Sequence, residues 1–201
     1  MNLLHIDSSI LGTRSVTRKL SADIVKKLQS PESVVTYRDL AAQPIAHLHG
    51  NTFSAMQNPQ GEYPAEVQAD LAIGNAVLEE FKAADTVVIG VAFYNFSIPS
   101  LLKVWIDRIL VAGHTFKYSD GRVEGLAGSK RVILAIARGG YYGAESPMAS
   151  FEHAESYLRA VFAFMGVKDI SVISAEGMAV GPEPRQAGLT AAELQIAKLA
   201  A

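Results

Sequence analysis

The chain has 201 residues, 49% of them hydrophobic and 19% charged, enough to bury one substantial core, so a single domain over residues 1–201 is expected. A formal net charge of −2, with no long run of like charges, gives no basic field for nucleic acid or anionic lipid. The absence of cysteine excludes disulfides, thiolate nucleophiles, thiol relays and sulfur-ligated metals, so redox chemistry would need a bound cofactor.

In chain order, Asn2 to Asp7 is a short apolar-rich run that predicts a strand. The same N-terminus has no basic flank and too short an apolar run for a signal peptide, and no stretch nears the roughly 20 apolar residues of a membrane span, so a cytoplasmic protein is expected. From Ser15 to Gln29, Val16, Leu20, Ile24, Val25 and Leu28 recur at helical spacing. Ser33 to Arg38 reads as a second strand, and a long connection to about Tyr63 precedes a helix from Pro64 to Ala83. A connection of that length usually has a functional or partner-facing role. Thr86 to Val91 is a buried strand, Pro99 to Ala112 a helix started by proline, and Arg131 to Ile136 another buried strand. Phe151 to Met165 predicts a helix stopped by Gly166, Ile170 to Ala175 the last strand, and Thr190 to Leu199 a terminal helix with Glu193 three residues after its cap.

Five strands, mostly apolar on both faces and separated by helices, imply a doubly wound α/β domain with a parallel sheet covered on both sides. Ligands in such sheets sit at the carboxyl ends of strands near the topological switch point. The loops to search are therefore Ser8 to Ser15, Ala92 to Ser97 and Ala137 to Met148.

The first loop, DSSILGTRSVT, has neither a dinucleotide glycine pattern nor a P-loop. It suits a single phosphate: Ser9, Ser15 and Thr17 bring hydroxyls, and the free N–H groups around Ser15, Val16 and Thr17 favour a dianion at the helix start. Ser15 as a plain N-cap is the competing reading. The second loop, Phe93-Tyr94-Asn95-Phe96, is either core packing or a seat for a flat heterocycle, with apolar faces and one amide for its edge. The third, ARGGYYG, places Gly139 and Gly140 where a backbone can approach a ligand closely, with Arg138 available to counter a developing anion; alone, the glycine pair is an ordinary turn. One phosphate, one linker and one planar ring with a polar edge describe flavin mononucleotide, FMN, which would also supply redox chemistry without cysteine.

In order and spacing, Ser9, Ser15-Val16-Thr17, Phe93 to Phe96 before a proline-started helix, Arg138-Gly139-Gly140 and the later AEGMAVGPE closely resemble the FMN-dependent NADH-azoreductases, which are also NAD(P)H quinone reductases. The resemblance covers essentially the whole chain, including RDLAAQPI and GHTFKYSDGRVEGLAG. It implies a flavodoxin-like fold with strand order 2-1-3-4-5, one non-covalent FMN per subunit, NADH or NADPH as co-substrate, and a homodimer with its active sites at the interface. It assigns the phosphate to Ser9 and Ser15 to Thr17, the ring and its ribityl side to Phe93 to Phe96, and the pyrimidine edge to Ala137, Arg138, Gly139 and Gly140. The cycle it implies is ping-pong: NAD(P)H gives up hydride and leaves before a quinone or azo compound takes two electrons in its place. No catalytic acid–base residue is required for the hydride transfer itself. Phe116, Tyr118 and Phe164 are candidate walls of the substrate slot, some supplied by the second subunit, or else ordinary core.

Two departures stand out. The family pattern has Pro-Met-Tyr-Asn-Phe where this chain has Ala92-Phe93-Tyr94-Asn95-Phe96, and serine where it has Ala137. The ring environment, and with it redox potential or substrate preference, is expected to differ. Three other classes compete. A serine hydrolase would use the Asp7-Ser8-Ser9 position but lacks a histidine after His153, and a phosphoacceptor receiver lacks an aspartate at the end of its third strand. A flavodoxin-type electron carrier would be more acidic. His47 and His49 alternate like metal ligands, yet no third ligand follows at a recognisable spacing, so no metal is expected.

Overall fold

The computed structural model describes residues 1–58 and 60–200. The chain runs β1 (Asn2–Asp7), a 3-10 turn (Gly12–Arg14), α1 (Val16–Leu28), β2 (Val34–Asp39), α2 (Gly50–Gln57), α3 (Ala65–Ala83), β3 (Thr86–Ala92), α4 (Ser100–Ile109), β4 (Phe116–Ser119), β5 (Arg122–Gly125), β6 (Arg131–Ala137), α5 (Ala154–Phe164), β7 (Asp169–Ala175) and α6 (Pro182–Ala197). The main sheet has the order β2-β1-β3-β6-β7 with every pair parallel, which is 2-1-3-4-5 when only its own strands are counted.

Alternation along the strands divides the core in two. Leu4 and Ile6 of β1, Val87, Ile89 and Val91 of β3, and Val132, Leu134 and Ile136 of β6 face one side, against Phe81 of α3, Trp105 of α4 and Phe162 of α5. Leu3, Val88, Ile133 and Ala135 face the other, against Leu20 and Ile24 of α1 and Ala192 and Ile196 of α6. This is why the central strands read as unbroken apolar runs, whereas β2, on the edge, is largely exposed.

The five strands and their connecting helices follow the sequence expectation, and three regions differ. The connection before α3 contains α2, which has few apolar positions at helical spacing. Phe116–Ser119 and Arg122–Gly125 pair antiparallel around Asp120 and Gly121, both at positive φ, so the Asp-Gly signal of a two-residue hairpin was present in YSDGRV. The terminal helix begins at Pro182, not Thr190, because two prolines fit its first turn; Thr190 lies inside the helix and caps nothing.

Candidate active site

At the carboxyl edge of the sheet, a cavity of about 210 Å³ is lined by Ser9, Ser15, Val16, Thr17, Ala92, Phe93, Tyr94 and Ala137, together with Leu11, Arg14, Met178, Ala179 and Arg185. All three loops singled out by the fold class thus meet at one place.

One end of the cavity is built by the start of α1. Ser15 is the N-cap, accepting the Arg18 N–H at 3.3 Å, and its hydroxyl lies 3.0 Å from that of Thr17. Capping does not remove the Ser15 side chain from the cavity, which it lines, and the Val16 and Thr17 N–H groups at the helix start have no intrahelical partner. The shape of the loop is set from behind. Arg18 grips Asp39 through two hydrogen bonds, 2.6 and 2.7 Å, and donates to the Ser9 carbonyl at 2.9 Å. Because a peptide is planar and trans, turning the Ser9 carbonyl toward Arg18 turns the Ile10 N–H the opposite way. The Arg18 hydrogen bond, aided by the N–H groups of Ala42 and Ala41, holds the Asp39 carboxyl below its usual range against a smaller opposing effect of burial.

Below this loop Asp7 is buried, with Ser21 donating at 2.8 Å and Tyr37 at 3.0 Å; His5 Nε2 lies 3.6 Å away and hydrogen-bonds the Ser21 hydroxyl at 2.9 Å. Burial alone would raise its carboxyl, but the interactions with His5, Ser21 and Tyr37 win and lower it. Burial, followed by the neighbouring Asp7 charge, pushes the Tyr37 phenol up to about 12. Asp7 is consumed structurally, and Ser8, fully buried, donates its hydroxyl to the Gly90 carbonyl at 2.7 Å. Neither is presented as a phosphoacceptor or a nucleophile.

The aromatic loop is a tight turn. Tyr94 and Ser97 exchange backbone hydrogen bonds of 3.0 and 3.1 Å, and the two residues between them, Asn95 and Phe96, have φ of 47° and 73°. Both central residues are left-handed, the geometry of a type I′ turn, which normally requires glycine or asparagine; a phenylalanine there is strained. His153 N–H donates to the Phe96 carbonyl at 2.9 Å and helps to hold the turn. Phe93 and Tyr94 point into the cavity, the Tyr94 hydroxyl 3.2 Å from that of Ser9, while Asn95 and Phe96 sit exposed at the tip. Tyr142 packs on Phe93 at 4.8 Å between ring centres, and Phe151 packs on Phe96 at 5.4 Å.

The third loop corrects one expectation. The Arg138 guanidinium, 3% exposed, is bound by Glu152, Glu155 and Glu176 at 3.0 to 3.2 Å, so its charge is already balanced and is not free to counter an anion in the cavity. Its task is structural: it ties this loop to the start of α5 and to the segment after β7. The carbonyls of Arg138, Gly139 and Gly140 accept from Met178, Ala179 and Gly177, whereas the N–H groups of Gly139 and Gly140 make no hydrogen bond among the described residues. Gly139 packs on Ala179, which lines the cavity, and Gly140 packs on Tyr142; neither glycine lines the cavity itself.

Of the three positions that depart from the family pattern, Ala92 and Ala137 are register partners on adjacent strands, and both line the cavity with the third, Phe93. Phe116, Tyr118 and Phe164 form a separate aromatic cluster, with Phe116 4.9 Å from Phe164 and 5.6 Å from Tyr118, and do not join the cavity within one chain. Sequence reasoning missed Arg14 and Arg185, the two cations at the cavity. Arg14 belongs to the hydroxyl loop, but nothing in the local sequence signals that α6 returns Arg185 to that loop, where it donates to the Met178 carbonyl at 3.1 Å.

The donor set fits a phosphomonoester: hydroxyls, helix-start N–H groups and two arginines at one end, with aromatic and alanine walls at the other. This open cavity of about 210 Å³ is below the ~300 Å³ at which pockets for drug-sized ligands begin, a size that suits one part of such a ligand.

The flavodoxin-like fold family matches residues 1–200. A protein of Xanthomonas campestris pv. campestris named FMN-dependent NADH:quinone oxidoreductase is 58% identical over 199 residues, covering 98% of both chains. One of the same name from Methylorubrum extorquens is 53% identical over 194 residues, covering 96% of this chain and 95% of the other. The solved structure of an FMN-dependent NADH-azoreductase from Bacillus anthracis in complex with FMN superposes with a TM-score of 0.88 at 28% identity, covering 100% of this chain and 99% of the other. The chain belongs to the flavodoxin-like family and, within it, to the group that contains the FMN-dependent NADH:quinone oxidoreductases.

Proposed function

We propose that this chain is an FMN-dependent oxidoreductase that takes two electrons from NADH or NADPH and delivers them to quinones, giving hydroquinones, or to azo compounds, giving amines. The observation that carries this reading is the meeting of a phosphate-type donor set with the Phe93, Tyr94 and Ala137 walls in one cavity at the switch-point edge of the sheet. When bound, FMN supplies the hydride-accepting and hydride-donating ring chemistry.

The protein's part is placement. Ser9, Ser15 and Thr17 hold the phosphate with the α1 start, Arg14 and Arg185 add positive charge, Phe93 and Tyr94 flank the ring side, and the Gly139 and Gly140 N–H groups donate to its polar edge. Asn95 and Phe96 close the tip of the turn. Phe116, Tyr118 and Phe164 serve the substrate slot from a second subunit, which makes the working unit a homodimer. One domain acting in the cytoplasm completes the proposal; among the described residues no helix is long and apolar enough to cross a membrane.

Steady-state kinetics with NADH and a soluble quinone test the cycle. Parallel double-reciprocal lines, with activity lost on stripping FMN and restored by adding it, are expected. Intersecting lines would replace the ping-pong order with a ternary complex, and activity indifferent to FMN would remove the assignment.

A further inference from the structure

A second cavity, of about 230 Å³, lies among α2, α3 and the end of α4, and shares no lining residue with the first. Met56, Leu71, Leu78 and Val111 give it apolar walls, Gly74 and Arg108 lie on one side, and Asn75 and His114 add polar groups to its lining.

Two features here work against the fold. Gly74 stands in the middle of α3, where glycine costs helix stability relative to alanine. Backbone crowding does not demand it, since an added Cβ would meet only Arg108, at 3.4 Å from Nη1 and 3.6 Å from Cδ. A larger residue would take up cavity space and cover the guanidinium. Arg108 itself is 1% exposed, and all its hydrogen bonds run through Nη2, to the Ala46 carbonyl at 2.8 Å and the Asp70 carboxylate at 2.8 and 3.0 Å. Its Nε is buried without a partner, and Nη1, beside Gly74 at the cavity wall, donates to nothing among the described residues. Buried polar groups are ordinarily satisfied, so this arginine has donors to spare.

We propose that this cavity binds a small flat molecule bearing one carboxylate, of about the size of benzoate, anchored on Nη1 of Arg108 with its ring against the apolar walls. An apolar cavity of about 150 Å³ accepts benzene, so 230 Å³ leaves room for a ring and its carboxylate. Asp70 engages Arg108 through Nη2 alone, so one carboxylate already meets this guanidinium and Nη1 is left for a second, whereas Arg138 has both Nη atoms taken by its three glutamates. The site is independent of the flavin assignment.

Calorimetric titration of the full-length, FMN-loaded protein with benzoate tests the proposal, and needs no turnover. Saturable binding is expected, with benzyl alcohol, of similar shape but uncharged, about tenfold weaker. Gly74→Leu abolishes benzoate binding while leaving FMN content unchanged, and Gly74→Ala weakens it while raising the melting temperature. No saturable heat with benzoate, equal affinity for benzyl alcohol, or undiminished binding in Gly74→Leu would each overturn the proposal.

Discussion

The loop after β1 and the turn after β3 lie side by side at the carboxyl edge, joined by the Ser9 and Tyr94 hydroxyls, yet they are held in shape by opposite means. The first loop is fixed by charge and hydrogen bonds from beneath: Arg18 on Asp39 and on the Ser9 carbonyl, with Asp7 buried under it. The second is fixed by its own backbone, a two-residue left-handed turn closed by paired hydrogen bonds. A phosphate seat needs directed donors, which an ion-pair frame can aim. A wall for a ring needs a rigid position, which a strained and over-determined turn supplies.

Substitutions that attack one frame and spare the other test this division. The largest effect is expected from Gly90→Ala on β3, whose Cβ would come within 2.6 Å of Asp7 Oδ1 and 3.2 Å of both Ser21 Oγ and the Thr17 carbonyl. Chemical denaturation should show a loss of about 3 kcal/mol, the upper end for overpacking. Next comes Arg18→Met, expected to cost about 2 kcal/mol by removing charged hydrogen bonds and leaving Asp39 unpaired. Its more telling readout is ligand preference: affinity for FMN should fall much more than affinity for riboflavin, which lacks the phosphate. An equal fall for both would show general loosening.

Acid should act on the first loop through Asp7 and Asp39, and separately on the start of α5 through Glu152, whose carboxyl is also lowered. Asp7 and Asp39 have folded pKa values below their ordinary ones, so their stabilising contribution is complete above about pH 4 and is lost as pH falls through the lower folded values. Amide exchange of residues 8–15 should therefore accelerate in that window while that of 94–97 does not. For the turn, Asn95→Ala should cost about 1 kcal/mol, because alanine resists the left-handed region more than asparagine does, and should weaken FMN retention or slow turnover. Unchanged retention and turnover would take Asn95 out of the site. The smallest effect belongs to Ala137→Ser, which restores the hydroxyl of the family pattern: no change in melting temperature, but a shift in the bound flavin's reduction potential.

The same division explains what could be read from the sequence. The sheet was legible because its central strands are apolar on both faces, and the three loops because the fold class dictates where strands end. The frames behind the loops were not. Arg18 and Asp39 are 21 residues apart and look like ordinary surface charges until α1 and β2 are placed side by side. The charge balance of Arg138 depends on Glu152, Glu155 and Glu176 from two later segments, so its sequence context suggested a free cation that the fold does not leave free. In the hairpin the Asp-Gly pair is a readable turn signal, but its flanking strands have four residues each, too few for an alternating pattern to stand out.

The account stands on flavin in the cavity at the sheet edge, and the visible spectrum of the purified protein tests it most directly. The protein should be yellow, or become so on reconstitution with FMN, and anaerobic NADH should bleach it. A colourless protein that cannot be reconstituted with FMN would contradict the account, and a yellow one that neither NADH nor NADPH bleaches would make it an electron carrier instead.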